Sequence, residues 1–135
     1  MEKQPGFQFQ SIILLDSQFS REPEIDFEAE TRTDVSINSH FTENEVGILC
    51  FLELEFNLVS KLISIVNCKC KFGGVFKVIG KSNLDVKTFG NVNGPSIMFP
   101  FLREHLASLS VKAGINPILL PPVNFVTLNE QKLKL

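Results

Sequence analysis

Residues 47–58, GILCFLELEFNL, restrict the fold more than any other stretch of this chain. Ile48, Cys50, Leu52, Leu54, Phe56 and Leu58 alternate with Leu49, Phe51, Glu53, Glu55 and Asn57. Successive side chains of a strand point to opposite faces, so the period of two predicts one long strand with a dry face and a face carrying two carboxylates. A strand dry on one side needs partners beside it and a cover above it. Neighbouring segments supply the partners. Phe7 to Asp16 alternates and then becomes continuously apolar, and Val35 to Phe41 alternates again, with TENE (42–45) as its turn. Val66, Cys68, Cys70 and Phe72 share a face opposite Asn67, Lys69 and Lys71. Gly73-Gly74 predicts a bulge or bend in that last strand before Val75–Ile79. Residues 21–34 carry six acids and two arginines and read as a solvated connection.

The cover comes from the second half. After a polar stretch in which Leu84, Val86 and Phe89 suggest a short helical turn, Gly94-Pro95-Ser96 opens a helix. Phe99, Leu102, Leu106, Leu109 and Ala113 follow helical spacing, and Gly114 is the expected C-terminal cap. Ile97, Met98 and Phe101 make the first half of that helix apolar nearly all round, which calls for a second covering surface such as another subunit. Pro100 should kink the helix or mark its start. The expected fold is α+β: a four-stranded antiparallel sheet with a long helix on one face, a helix-connecting loop and a short C-terminal helix, in one domain over residues 1–135.

That loop, ILLPPVNF (118–125), is as apolar as a core strand, yet Pro121 and Pro122 bar it from helix and central sheet. The chain has thirteen Phe and neither Tyr nor Trp, so its aromatic surface has no polar handle and implies extensive apolar contact. A net charge of −2 gives no reason to expect nucleic acid or an anionic membrane as partner, and no apolar run approaches the length of a spanning helix. With no secretory h-region and three cysteines in no disulfide framework, the expected compartment is the cytoplasm.

No catalytic or cofactor motif emerges. GGVFKVIGKS (73–82) has five residues between Gly74 and Gly80 where a phosphate-binding loop needs four, and VFKVI is strand-like. Cys68 and Cys70 face the same way, but no further metal ligand lies near them in sequence. His40 and His105 have no sequence-local nucleophile, and Glu53 and Glu55 read as outward, solvated carboxylates. No enzyme activity, cofactor or metal is expected.

GGVF (73–76), IMFPF (97–101) followed by Arg103-Glu104, and PPVNF (121–125) preceded by Leu119-Leu120 occur in the order and at the separations seen in the SecB family of export chaperones. The N-terminal FQFQSI (7–12) resembles that family's first strand, with Asp16 soon after. The resemblance implies an ATP-independent holdase assembled as a dimer of dimers, its long helices sandwiched between sheets. It further implies a hydrophobic groove for unfolded polypeptide, walled by the loop: Phe76, Ile118, Leu119, Leu120, Pro121, Val123 and Phe125 are the expected client-binding residues. Ile97, Met98, Phe101, Leu102, Cys68 and Cys70 are the expected oligomer interface. Export chaperones of this family dock on the motor SecA through an acidic outer sheet face, but the matching positions here are Lys69 and Ser20, unfavourable by charge sign. SecA binding is therefore doubtful, and a dedicated client such as an antitoxin is the expected alternative to export. The competing class is a non-chaperone scaffold whose apolar surface serves only subunit contact.

Overall fold

The computed structural model describes residues 6–80 and 85–133. Four strands, β1 (Gly6–Arg21), β2 (Arg32–Glu43), β3 (Gly47–Ser60) and β4 (Ile63–Ile79), form one antiparallel sheet in the order β1-β4-β3-β2. The long alternating strand, β3, is thus central, and its even positions 48 to 56 are buried, as the period of two requires. Cys68, Cys70 and Phe72 of β4 lie beside Phe56, Leu54 and Leu52 and continue the same dry face. Asn44 builds the β2–β3 turn, its Oδ1 accepting from the amides of Val46 (3.0 Å) and Gly47 (2.9 Å).

Three expectations about the strands and the helix start need correction. The acidic connection is shorter than 21–34, because β1 runs to Arg21 and β2 starts at Arg32. The paired glycines do not bulge β4. In the β1–β4 pair the register shifts fall between Phe9 and Ser11 and between Leu14 and Asp16, so the extra residues sit in β1 on either side of the glycines, and the shift of β4 against β3 lies at Ile65, away from them. Gly73 and Gly74 instead permit close approach: a Cβ on Gly73 would lie 3.2 Å from Leu15, and one on Gly74 would lie 2.7 Å from Met98 Sδ. Pro100 does not mark the start of the long helix, which already runs from Gly94 and continues through the proline.

The helical layer begins where Asp85 Oδ1 accepts from Thr88 N–H at 2.6 Å, a cap that holds the Asp85 carboxyl below its ordinary range. A short α1 (Val86–Thr88) runs through a π-helical turn (Phe89–Asn93) into α2 (Gly94–Lys112). The wider turn brings Gly90 onto the Phe41 ring and Gly94 onto Cys50 Sγ, where a Cβ would collide with either. Pro95 occupies the first turn as expected. Leu84, expected in the short helical turn, lies outside the described residues, as does the end of the tail, 134–135.

Met98, Phe99, Leu102 and Leu106 of α2 are buried in the core, and the buried Ser110 hydroxyl donates to the Leu106 carbonyl at 2.7 Å. Gly114, at φ +75°, closes α2, with Ile115 N–H reaching back to the Ser110 carbonyl at 3.1 Å. Arg21 ties this end to β1 by donating from Nη1 to the Ala113 carbonyl at 2.6 Å. The phenylalanines hold the other end. Phe7 stacks on Phe89 at 4.0 Å between centroids, Phe9 on Phe76 at 5.3 Å, and Phe76 meets the edge of Phe89 at 5.0 Å. Among the described residues, no helix is long and apolar enough to cross a membrane.

Candidate functional site

The apolar loop divides residue by residue between core and surface. Leu120 and Phe125 are buried, and Phe125 meets the Phe99 ring at 6.0 Å, so these two side chains pin the segment to α2. Asn124 accepts from the amides of Val126 (3.0 Å) and Thr127 (3.2 Å) and starts α3 (Phe125–Leu133), which begins earlier than the tail alone suggested. Between these fixed points the chain bows outward. Leu119 is 66% exposed, Pro121 and Pro122 are exposed, and Ile118 and Val123 are half-buried against the core. Leu119 faces Phe99, Pro100, Arg103, Glu104 and Ala107 across a shallow hollow of about 340 Å³.

The expected client-binding set is therefore split. Phe76, Leu120 and Phe125 are buried in the core. Leu119 and Pro121 present open surface, with Ile118 and Val123 beside them. The expected interface set splits in the same way. Met98, Leu102, Cys68 and Cys70 are buried between sheet and helix, whereas Ile97 and Phe101 are each 40% exposed, with Phe101 against Phe9 of β1. Apolar residue type alone could not distinguish these cases. The hollow's helix side, Pro100, Arg103, Glu104 and Ala107, was missed, although its spacing of three and four marks one helical stripe.

The other sheet face is polar and internally neutralised. Lys71 Nζ lies 3.4 Å from Glu53 and Lys69 Nζ 3.9 Å from Glu55, all well exposed. Lys71 also sits over the Phe51 ring at 5.0 Å, and His40 stacks on the same ring at 4.6 Å. The second histidine has a partner that sequence distance concealed: His105 Nε2 lies 2.8 Å from Ser17 Oγ. Among the described residues no carboxylate orients that ring, so the pair joins α2 to β1 without the third group that nucleophilic catalysis needs. Burial pushes the Cys50 thiol up to about 12, and Cys68 and Cys70 share a hydrogen bond that raises Cys70 and lowers Cys68.

The family model described as preprotein translocase subunit SecB matches residues 2–135. The chain belongs to the SecB family. A protein-export protein SecB of Nitrosospira multiformis is 27% identical over 97% of this chain and 85% of its own length. The SecB of Anaplasma phagocytophilum is 35% identical over 57% of the chain, and that of Halorhodospira halophila 40% identical over 48%. These two matches span only 50% and 38% of the relatives' own lengths. Among solved structures, a Mycobacterium tuberculosis SecB-like chaperone in complex with an antitoxin peptide superposes with a TM-score of 0.76 at 12% identity. That superposition covers 87% of this chain and 91% of the other and shows a shared fold.

The SecB-like motifs have structural explanations in this chain. Gly74 seats Met98, Phe76 is sandwiched between Phe9 and Phe89, Phe99 receives Phe125, and Asn124 caps α3. They fix where the SecB helical layer rests on its sheet, and so place Leu119 beside α2.

Proposed function

We propose that this SecB-family chain, acting as one unit over residues 1–135, is an ATP-independent holdase that binds unfolded or partly folded polypeptide segments. The observation that carries the proposal is the hollow between Leu119 and the Phe99-Pro100-Ala107 side of α2. Apolar surface held open by a proline-stiffened loop loses little entropy on binding an extended chain. Ile118, Pro121 and Val123 extend the surface along the loop. Ile97 and Phe101, on the other side of the helix, are the contacts proposed for assembly into a dimer and dimer of dimers. The proposed setting is the cytoplasm, where such a protein would act without catalysis or cofactor.

The relatives that share most of the chain are export proteins, which supports export clients. The antitoxin-bound fold neighbour supports a dedicated client of that kind. The paired charges Lys69–Glu55 and Lys71–Glu53 favour weak engagement of a basic SecA surface, because half of each pair repels it.

Leu119→Ser should leave melting temperature and assembly size unchanged. It should weaken suppression of aggregation of a chemically unfolded test protein by about 5- to 30-fold, since covering the open two-thirds of a leucine contributes roughly 1–2 kcal/mol. Full suppression by the variant would remove the hollow from client binding. A variant that instead lost assembly would favour the scaffold reading.

A further inference from the structure

The neutralised charges occupy one half of the sheet face turned away from α2. Glu53 stands beside Lys71 and Glu55 beside Lys69, so β3 carries a column of carboxylates and β4 a parallel column of ammonium groups. The other half of the same face is apolar. There Phe51 stands beside Gly73 and Leu49 beside Val75, while Ile13 and Leu15 of β1 are 47% and 49% exposed. Gly73 lowers the middle of this patch, and Leu15 and Leu49 lean over it: a Cβ at position 73 would lie 3.2 Å from Leu15 and 4.0 Å from Leu49. Lys71 Nζ spans the boundary between the halves, 3.4 Å from Glu53 and 5.0 Å above the Phe51 ring.

This pattern is complementary to itself. A two-fold axis parallel to the strands, running between β3 and β4, would bring a second copy face to face with the first and exchange the columns. Each carboxylate column would then lie over the other copy's lysine column, giving every charge an opposite charge both beside it and above it. Position along the strands is unchanged by that axis, so apolar half meets apolar half. On the outer strands Asp16 of β1 comes over Asn38 of β2, and no like charges oppose. A two-fold axis across the strands would instead stack Glu on Glu and Lys on Lys, and would set the apolar half on the charged one. A partner of one charge sign is repelled by one column wherever it is attracted by the other. Exposed ion pairs contribute little singly, so the apolar half supplies attraction while the columns fix orientation. We infer that the outer sheet face is an association surface for a second copy of this chain, stacked sheet on sheet at the usual spacing of about 10 Å. It is separate from the Ile97–Phe101 flank on the helical layer and adds to any assembly formed there.

The test is sedimentation equilibrium of the intact protein over a wide concentration range, at about 0.05 M and about 0.5 M salt. The mass should rise with concentration toward twice that of the dilute species, and this step should weaken severalfold at the higher salt. Lys69→Glu with Lys71→Glu puts one charge sign on both columns and should weaken the step by about tenfold or more. Glu53→Lys with Glu55→Lys should do the same. All four changes in one chain exchange the columns, keep the face self-complementary and should restore the step. Leu49→Thr, β-branched and so suited to β3, should weaken it from the apolar half. Circular dichroism and thermal melting check that each variant is folded, as expected for exposed positions. Ile97→Ser with Phe101→Ser should lower the starting mass and leave the salt-sensitive step in place. A mass independent of concentration in the unaltered protein would overturn the inference. So would a step that survives either two-residue charge change, one that the folded four-residue exchange fails to restore, or one lost in the Ile97 and Phe101 variant.

Discussion

Gly74→Ala isolates the contact that seats the helical layer on the sheet. A Cβ at position 74 would lie 2.7 Å from Met98 Sδ, 3.1 Å from its Cγ and 3.2 Å from its Cε. Ordinary contact begins near 3.4 Å, so the thioether must retreat into surroundings that leave Met98 no exposure. Overpacking of this kind costs about 1–3 kcal/mol, against about 0.4–1 kcal/mol regained because alanine restricts the unfolded chain more than glycine does. The single variant should therefore be neutral to destabilised by up to about 2.6 kcal/mol. Met98→Ala alone opens a cavity and should cost about 2–5 kcal/mol. In that background the methyl added by Gly74→Ala meets empty space, so the substitution should change sign and stabilise by a few tenths to about 1 kcal/mol. The assay is urea unfolding followed by far-UV circular dichroism, since the chain has no Trp or Tyr to report, at one fixed protein concentration so that any association weighs equally on both backgrounds. The same sign and size of effect in both backgrounds would refute the reasoning that Met98 is why position 74 is glycine.

Arg21→Ala should lower stability by about 1.5–3 kcal/mol, because one guanidinium serves the carbonyls of Ala113, Glu22 and Pro23; Lys, which lacks the fork, should restore only part of it in thermal melts. The Cys50 thiol has a folded pKa of about 12 against an ordinary 9.0, so the protein favours its neutral form. Its contribution to stability is complete below pH 9 and is lost by about 1.4 kcal/mol per pH unit between 9 and 12, as urea unfolding at several alkaline pH values should record. Replacing both Ile97 and Phe101 with Ser should shift sedimentation toward a smaller species while leaving helix and sheet content intact. An unchanged assembly would place the subunit contact elsewhere.

The central strands were legible because burial there is one-sided and uniform. β3 keeps every inward position from 48 to 56 apolar, and the sequence repeats that alternation without interruption. The far part of β1 was not legible, because its inward positions make specific polar contacts: Ser17 meets His105 and Arg21 meets Ala113. A period-two search sees only broken alternation there. Pro100 misled for a related reason. Its missing N–H forgoes a bond to the Ser96 carbonyl, but the ring lies on the exposed side of α2, and Met98, Phe99 and Leu102 pin the helix on both sides of it. In the 118–125 loop, Leu119 and Leu120 are chemically identical neighbours with opposite fates. Only the position of α2 and α3 decides which one faces in, and no local pattern encodes that.

The same geometry bears on whether assembly and client binding compete for one apolar surface. Residues advance by about 100° around a helix, so Ile97 and Phe101 are about 40° apart. Pro100, Arg103 and Ala107 form a separate stripe on the opposite flank of the exposed arc. The first pair lies toward β1, where Phe101 meets the edge of Phe9 at 5.9 Å and His105 meets Ser17. β1 is also a sheet edge, and its Ile13, Leu14 and Leu15 are each almost half exposed. A subunit contact using that flank would bury the open strand edge together with Ile97 and Phe101. The second stripe would be left free beside Leu119. A partner covering both flanks would close the hollow and favour a scaffold; one confined to the β1 flank leaves a groove whose floor is helix and whose wall is the proline-stiffened loop. The single-stripe arrangement is favoured because unpaired backbone groups along the open edge of β1 add a hydrogen-bonding reason for a second chain to settle there.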